Sequence, residues 1–500
     1  MMASESTFRD FARQLRPLAL PIAFQQFVLV LSNAFDVFML AAVDQNALSA
    51  VSLATQFQFI FDLFLMAFAI GASTLIAQYW GKGDAGAVQQ VITFVMRHTI
   101  ALSAVFAVLA AAVPHLLMRI TTNDAVLIGL GSHYLVVTSL AFVLIGVSQI
   151  NLCLFKNTGR ARTGTIISAA GVALHIVTSA MLLFGWLGMP RLGVTGVAIS
   201  TVVSRTVECV WSCWKVWQDS RRHNAPGVQW HAMIPVSAQC KAKVETTGIN
   251  RTVNAKADPA NGSGNTIPGN TDRRTTRTST SILERDYWRY TLPVLGNEII
   301  WGGGFATYTI IMGHLGTDAV AANSVANIIK DLLVCLCAGL GSGGGILLGG
   351  IMGRGDLAQA RHVGRWLCRS ALALGAAIGA VILMIRPLVL RWSLLDAQAN
   401  EYLSGMLLVC AYYVVGKALN SITVGGIFPA GGDSRFGMVC DAVTIWAIVI
   451  PMGMLAAFVW QLPVMAVYVI LNIDELLKIP AVIVHYRTHR WLRNVTRESD

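Results

Sequence analysis

Twelve times along this 500-residue chain, about 20 consecutive residues pass with hardly a charge among them; the windows centre near residues 30, 65, 104, 141, 175, 202, 302, 334, 376, 413, 447 and 471. A helix rising about 1.5 Å per residue needs about 20 apolar residues to cross the hydrocarbon of a bilayer. These runs do not alternate, so they predict helices. Composition agrees: 13% of residues are charged and 55% hydrophobic, with mean hydropathy +0.60, where a soluble chain carries about 25% charged residues. The 45 glycines suit helices whose backbones approach closely in lipid. The expected fold is all-α integral membrane, with twelve transmembrane helices.

Between the sixth and seventh windows lies one long polar stretch, residues 217–286, which includes "INRTVNAKADPANGSGNTIPGNTDRRTTRTSTS". It is too poor in large apolar side chains to offset the entropy of ordering, so it reads as a disordered linker. Lys and Arg in short loops mark the cytoplasmic side. Arg9, Arg13, Arg16, Lys82, Lys156, Arg160, Arg162, Arg354, Arg361, Arg365, Arg435, Arg487, Arg490 and Arg493 fall on one side, against the dissenting Arg119, Arg191, Arg386 and Arg391. Both termini and the linker are therefore expected in the cytoplasm. "MMASESTFRDFARQLRP" has no cleavable signal pattern, which fits a multi-pass protein of the plasma (bacterial inner) membrane.

Sliding the chain by 272 residues without gaps exposes an internal repeat. Leu20-Pro21 falls on Leu292-Pro293, Ala47 on Ala319, Gly71 on Gly343 and Leu75 on Leu347, and "GKGDAGA" from Gly81 lands on "GRGDLAQ" from Gly353. Further on, "NTGRART" and "AGGDSRF" correspond with one extra residue. Six windows separate equivalent points, an even number, so the halves are parallel repeats about an axis along the membrane normal, a plan that secondary transporters use with the substrate between the halves. The expected organisation is an N-lobe over 1–216 (spans 1–6), the linker 217–286, a C-lobe over 287–485 (spans 7–12) and a cytoplasmic tail 486–500.

The chain resembles the multidrug and toxic compound extrusion (MATE) transporters over nearly its whole length apart from the linker. In the first half the resemblance rests on "SNAFDVFMLAAVDQNALSAVSLA", "AQYWGKGDAGA" and "FGWLGMPRLGVTGVAIST"; in the second on "LPVLGNEIIW", "HLGTDAVAA", "GKALNSITVGGIFPAGGDSRF" and "DELLKIP…HRWLRNVT". It implies two six-helix lobes forming a V and export of amphipathic, often cationic compounds against an inward flow of sodium ions or protons. It also implies that Asp36, matching the family's first-helix aspartate, binds the coupling cation, with sodium a possible occupant. There are departures. His175 and Ser179 stand where members often carry asparagine, Pro429 replaces a common arginine before "GGD", and the linker is longer than usual. Imidazole carries a proton but is a poor sodium ligand, so His175 leaves the coupling ion open.

Glu298 lies about ten residues into the seventh window, where an ionised side chain costs about 2.5–3.5 kcal/mol on insertion scales. Its repeat-mate is Gln26, and Asn297 pairs with Gln25, so both halves place amide-type groups at one level and only the second adds an acid. Such an acid can hold a proton in one state and a cationic substrate in another. Lys417, beside Asn420 in the tenth window, is the rival partner: a buried Glu298–Lys417 pair would merely hold the C-lobe together. The candidate substrate- or ion-binding set is therefore Asp36, Glu298, His175, Lys417, Asn420, Gln26 and Asn297. Arg205 and Glu208 can pair on one helix face, and Asp62, Lys330, Asp331, Asp474, Glu475 and Lys478 are weaker candidates.

"GSGGGILLGG" from Gly341 lacks the Lys-Ser/Thr ending of a phosphate loop, so an ion gradient is the expected energy source, with no cofactor. The nine cysteines form no CxxC or Cys/His metal spacing, and no catalytic triad, diphosphate-binding aspartate pair or basic-aromatic nucleic-acid cluster is visible. A monomeric, non-enzymatic antiporter for small cations is the leading expectation. A lipid-linked glycan flippase of related fold is the alternative; it calls for more basic residues facing the cavity.

Overall fold

The structure is a computed structural model that describes residues 8–41, 45–223, 280–393 and 395–497. The described residues contain helices and no strand. Helices α1 (Phe8–Ala41), α2 (Gln45–Lys82), α3 (Ala85–Ala112), the short α4 (Pro114–Thr121), α5 (Ala125–Asn157), α6 (Ala161–Phe184) and α7 (Val194–His223) make up the first repeat. The second comprises α8 (Thr280–Gly313), α9 (Thr317–Gly353), α10 (Leu357–Trp392), α11 (Ala397–Ala430), α12 (Arg435–Val459), α13 (Val464–Leu471) and α14 (Asp474–Arg487). Nine described helices are long and apolar enough to cross a membrane. The windows near 202 and 302 lie in α7 and α8, which carry more charge, and the window near 471 is broken between α13 and α14 at Asn472.

The repeat reappears as geometry. Gly83 and Gly355 both turn at positive φ, +83° and +82°. Each is followed by an aspartate that caps the next helix: Asp84 accepts from the Ala87 amide and Asp356 from the Gln359 amide, both at 2.9 Å. Gly159 and Gly432 repeat the positive-φ turn one residue out of step, at +77° and +74°.

The seam between the lobes obeys the same shift. Gly71 lies against Thr291 and its mate Gly343 against Ala19; Gly81 lies against Gly350 and its mate Gly353 against Gln78. A Cβ at any of the four would strike the facing helix, so glycine is what lets the two backbones approach this closely. These contacts lie towards the face that carries the start of α1 and the last described residues, called here the terminal face. At that face the lobes also exchange ends. Phe11 and Leu15 of α1 sit in a core built otherwise from α9, α10, α11, α12, α14 and Trp491. Their mates Leu283 and Tyr287 of α8 sit in a core of α2, α3, α5, α6 and α7. The expected boundaries at 216 and 287 therefore fall inside helices. α7 continues to His223 and α8 begins at Thr280, held by Arg160–Asp219, Arg97–Glu284 and Arg497–Asp286 ion pairs. The rest of the expected linker, 224–279, lies outside the described residues.

The segment after α14 is packed as well. Trp491 is fully buried, and the amide of Gln78, itself 0% exposed, donates to the carbonyls of Ala430 (2.6 Å) and Arg493 (3.2 Å) while its oxygen accepts from the Val495 amide (2.7 Å). One side chain of the first lobe thus satisfies three backbone groups of the second.

Candidate functional site

Two cavities open where the lobes face each other. The first, about 490 Å³, is walled by α1, α2, α6 and α7 with a contribution from α8. Asp36, four turns beyond Pro21 in α1, meets His175 of α6: Nε2 of the imidazole is 3.0 Å from both carboxylate oxygens. The other ring nitrogen, Nδ1, is 3.3 Å from the Ser200 hydroxyl of α7, which bonds Ser179 in turn. Two residues singled out separately, from a resemblance and from a departure, thus form one dyad. Asp62 and Arg205 line the same cavity, and Arg205 gives its 2.7 Å ion pair to Glu208 three residues on.

The second cavity, about 600 Å³, lies between α1 and α2 on one side and α8, α9, α11, α12 and α14 on the other. It brings together Gln26, Asn297, Glu298, Lys417 and Asn420, the other five candidates, from three helices. Glu298 is 8% exposed. Lys417 and Asp441 act on it electrostatically, yet among the described residues no donor reaches its carboxylate. The rival reading, a Glu298–Lys417 ion pair, is not what forms. Lys417 Nζ lies 3.1 Å from Glu475 Oε1, because α14 packs against α11 and presents a closer acid. Asn420 completes that clamp, donating to the Glu475 carbonyl and to its Oε2, both at 2.7 Å. Lys417 also sits 5.2 Å over the Trp301 ring.

In the lining of the same cavity Lys478 lies 2.8 Å from Asp441 and 3.6 Å from each of Asp474 and Glu475. Removing one partner from such a buried group leaves the others uncompensated, a loss of about 3–5 kcal/mol. Asp441 is absent from the candidates that the sequence offers. It stands at the edge of its window, where an acid reads as a helix end, and its signal was complementary: a lysine in the last window needing a counter-charge. The α11 and α12 walls are irregular here, with π-helical turns over Thr423–Ile427 and Ala442–Val449 beside Asn420 and Asp441; such turns cluster at functional sites. Trp301, Phe305, Val334 and Tyr413 supply the apolar part of the lining. Among the described residues no group of His, Cys, Asp and Glu is arranged to hold a metal ion.

A bilobed helical bundle with acidic groups in cavities between its lobes defines the class of membrane transporter. The MatE family model matches residues 21–181 and 293–455, one match per repeat, and the chain belongs to that family, the multidrug and toxic compound extrusion transporters. It is 24% identical over 199 residues to a probable multidrug resistance protein NorM of Bradyrhizobium diazoefficiens, covering 39% of this chain and 42% of that relative. With the Agrobacterium fabrum protein of the same description it shares 20% identity over 466 residues, 92% of this chain and 89% of the relative. The fold is similar to the crystal structure of an aspartate-to-asparagine mutant of the Vibrio cholerae MATE transporter VcmN, with TM-score 0.79, 14% identity and coverage of 96% and 97% of the two chains.

Proposed function

We propose that this protein is a secondary active exporter of amphipathic, cationic small molecules, exchanging them for protons or sodium ions as the lobes alternate access to the cavities between them. The observation that carries the reading is Glu298: a carboxylate buried in a cavity large enough for a drug-sized molecule and lined also by Trp301, Phe305 and Tyr413, with no hydrogen-bond donor among the described residues. A positive ligand or a proton supplies what the site lacks, and Lys417, committed to Glu475, does not. Relatives described as probable multidrug resistance proteins support the substrate class. In the first cavity, His175 occupies both oxygens of Asp36, leaving little of that carboxylate for the several oxygen ligands sodium prefers; this favours the proton there. The natural setting of such a chain is the bacterial inner membrane, both termini in the cytoplasm, acting as a monomer.

Dye efflux from proteoliposomes tests the proposal, with proton and sodium gradients imposed separately. Wild-type protein is expected to move a fluorescent cationic dye under one gradient, and Glu298→Gln to lose at least about tenfold in rate, the loss of about 1.4 kcal/mol of differential binding. Undiminished transport by Glu298→Gln would reduce that carboxylate to a bystander. No cation movement under either gradient would favour the flippase reading.

A further inference from the structure

A different part of the molecule, on its outer surface at the terminal face, has the makings of a ligand site. Arg9, Arg13, Arg16, Leu20, Phe24 and Phe27 follow one another along α1 at steps of four, three, four, four and three residues, which keeps them on a single line down the helix. The three arginines are exposed. So are the three apolar residues beyond them, at 62%, 53% and 38%. The line runs about 27 Å, close to the hydrocarbon thickness of a bilayer. At its charged end, Arg162 from the start of α6 joins the three α1 arginines around one concavity of about 1020 Å³. α6 is fixed against α1 at that level by the Thr165 hydroxyl, which donates to the Pro21 carbonyl at 2.9 Å.

The wall carries four guanidiniums against one carboxylate, Asp10. Three arginines of the terminal face pair with acids, in Arg97–Glu284, Arg160–Asp219 and Arg497–Asp286, whereas others, such as Arg361 and Arg365 of α10, form no ion pair among the described residues and are not gathered around a hollow. Among the described residues none of the four lining arginines takes part in an ion pair of that kind. Positive loop charge alone would orient the chain in the membrane. It does not require four arginines from two helices to surround one hollow that continues into a lipid-facing apolar stripe. Guanidinium groups bind phosphate oxygens bidentately, and basic pockets between membrane helices hold anionic headgroups.

We propose that this concavity binds an anionic phospholipid, its phosphodiester held by Arg9, Arg13, Arg16 and Arg162 and one acyl chain laid along Leu20, Phe24 and Phe27. Because α1 also reaches into the core of the second lobe, a lipid held here rests on the helix both lobes share.

The test is native mass spectrometry of the full chain after exchange into dioleoyl phosphatidylglycerol or dioleoyl phosphatidylcholine, counting lipids retained as detergent is stripped away. Wild-type protein is expected to keep the anionic lipid at least about tenfold better, and R13Q/R162Q to lose most of that preference. R13K/R162K preserves charge but not the fork, so it should lie between the two; it also serves if the glutamine variant fails to fold. R361Q/R365Q, which removes the same charge from α10, should leave the preference intact. Equal retention of the two lipids would overturn the proposal, as would unchanged retention by R13Q/R162Q or an equal loss in R361Q/R365Q. Displacement of the lipid by excess inorganic phosphate would assign the hollow to a free anion instead.

Discussion

Single side chains here are committed to partners that can be removed one at a time. Lys478 is 3% exposed and faces three carboxylates. Lys478→Met is expected to destabilise the protein by about 3–5 kcal/mol, because it strands Asp441 and its neighbours as uncompensated buried charges; thermal unfolding in detergent reads this directly. The double variant Lys478→Met/Asp441→Leu should recover much of the loss, since a buried pair replaced by apolar groups of similar size is often neutral. Replacing His175 by asparagine, the residue that the family resemblance implies at this place, frees both oxygens of Asp36 from the imidazole. If the dyad sets the coupling ion, the variant should show a sodium response that the wild type lacks; identical ion dependence in the two proteins would remove His175 from that role. At this scale the sequence spoke through cost. Glu298 could be found because a charge inside an apolar run demands a reason. That no donor among the described residues reaches it could not, because Lys417 is an equally plausible counter-ion until α14 brings Glu475 within 3.1 Å of it.

At the level of helices, glycine sets how closely elements approach, and the repeat makes that testable in pairs. Gly81→Ala and Gly353→Ala each push a methyl into the backbone of the facing helix, at Gly350 and Gln78 respectively. Each is expected to cost about 1–3 kcal/mol by overpacking, with nearly equal shifts in melting temperature because the two places are equivalent. Gly83→Ala and Gly355→Ala meet no atom within 4 Å, yet their positive φ strains any other residue by about 1–2 kcal/mol; they should match each other for a separate reason. Helix existence was legible from apolar run length, and the correspondence of these four glycines from the 272-residue shift. Helix ends were harder to place. α8 begins at Thr280, in residues whose polarity reads as linker, because Leu283 and Tyr287 find a buried place in the other lobe and ion pairs absorb the charges around them.

The molecule as a whole is closed at its terminal face by a segment that composition marks as a tail. Trp491 fills a core formed by α1, α9, α10 and α11, and Arg497 forms a two-bond ion pair with Asp286 at 2.8 Å. Trp491→Ala is therefore expected to cost about 3–5 kcal/mol, as large an effect as a substitution within the spans, and truncation after Arg487 should be at least as severe. Either variant retaining wild-type melting would show the segment to be dispensable. None of this was legible in the sequence, because Gln78 meets backbone groups of Ala430, Arg493 and Val495 in the other half and Trp491 packs among side chains drawn from both halves. The exchange of helix ends between the lobes bears on how such a chain is made. Phe11 and Leu15 emerge first from the ribosome, yet their core is supplied by helices synthesised last, and Leu283 and Tyr287 complete a first half already in the membrane. Neither half is finished until the other arrives. Two separate polypeptides, divided within 224–279, should accumulate when produced together and be degraded when either is produced alone.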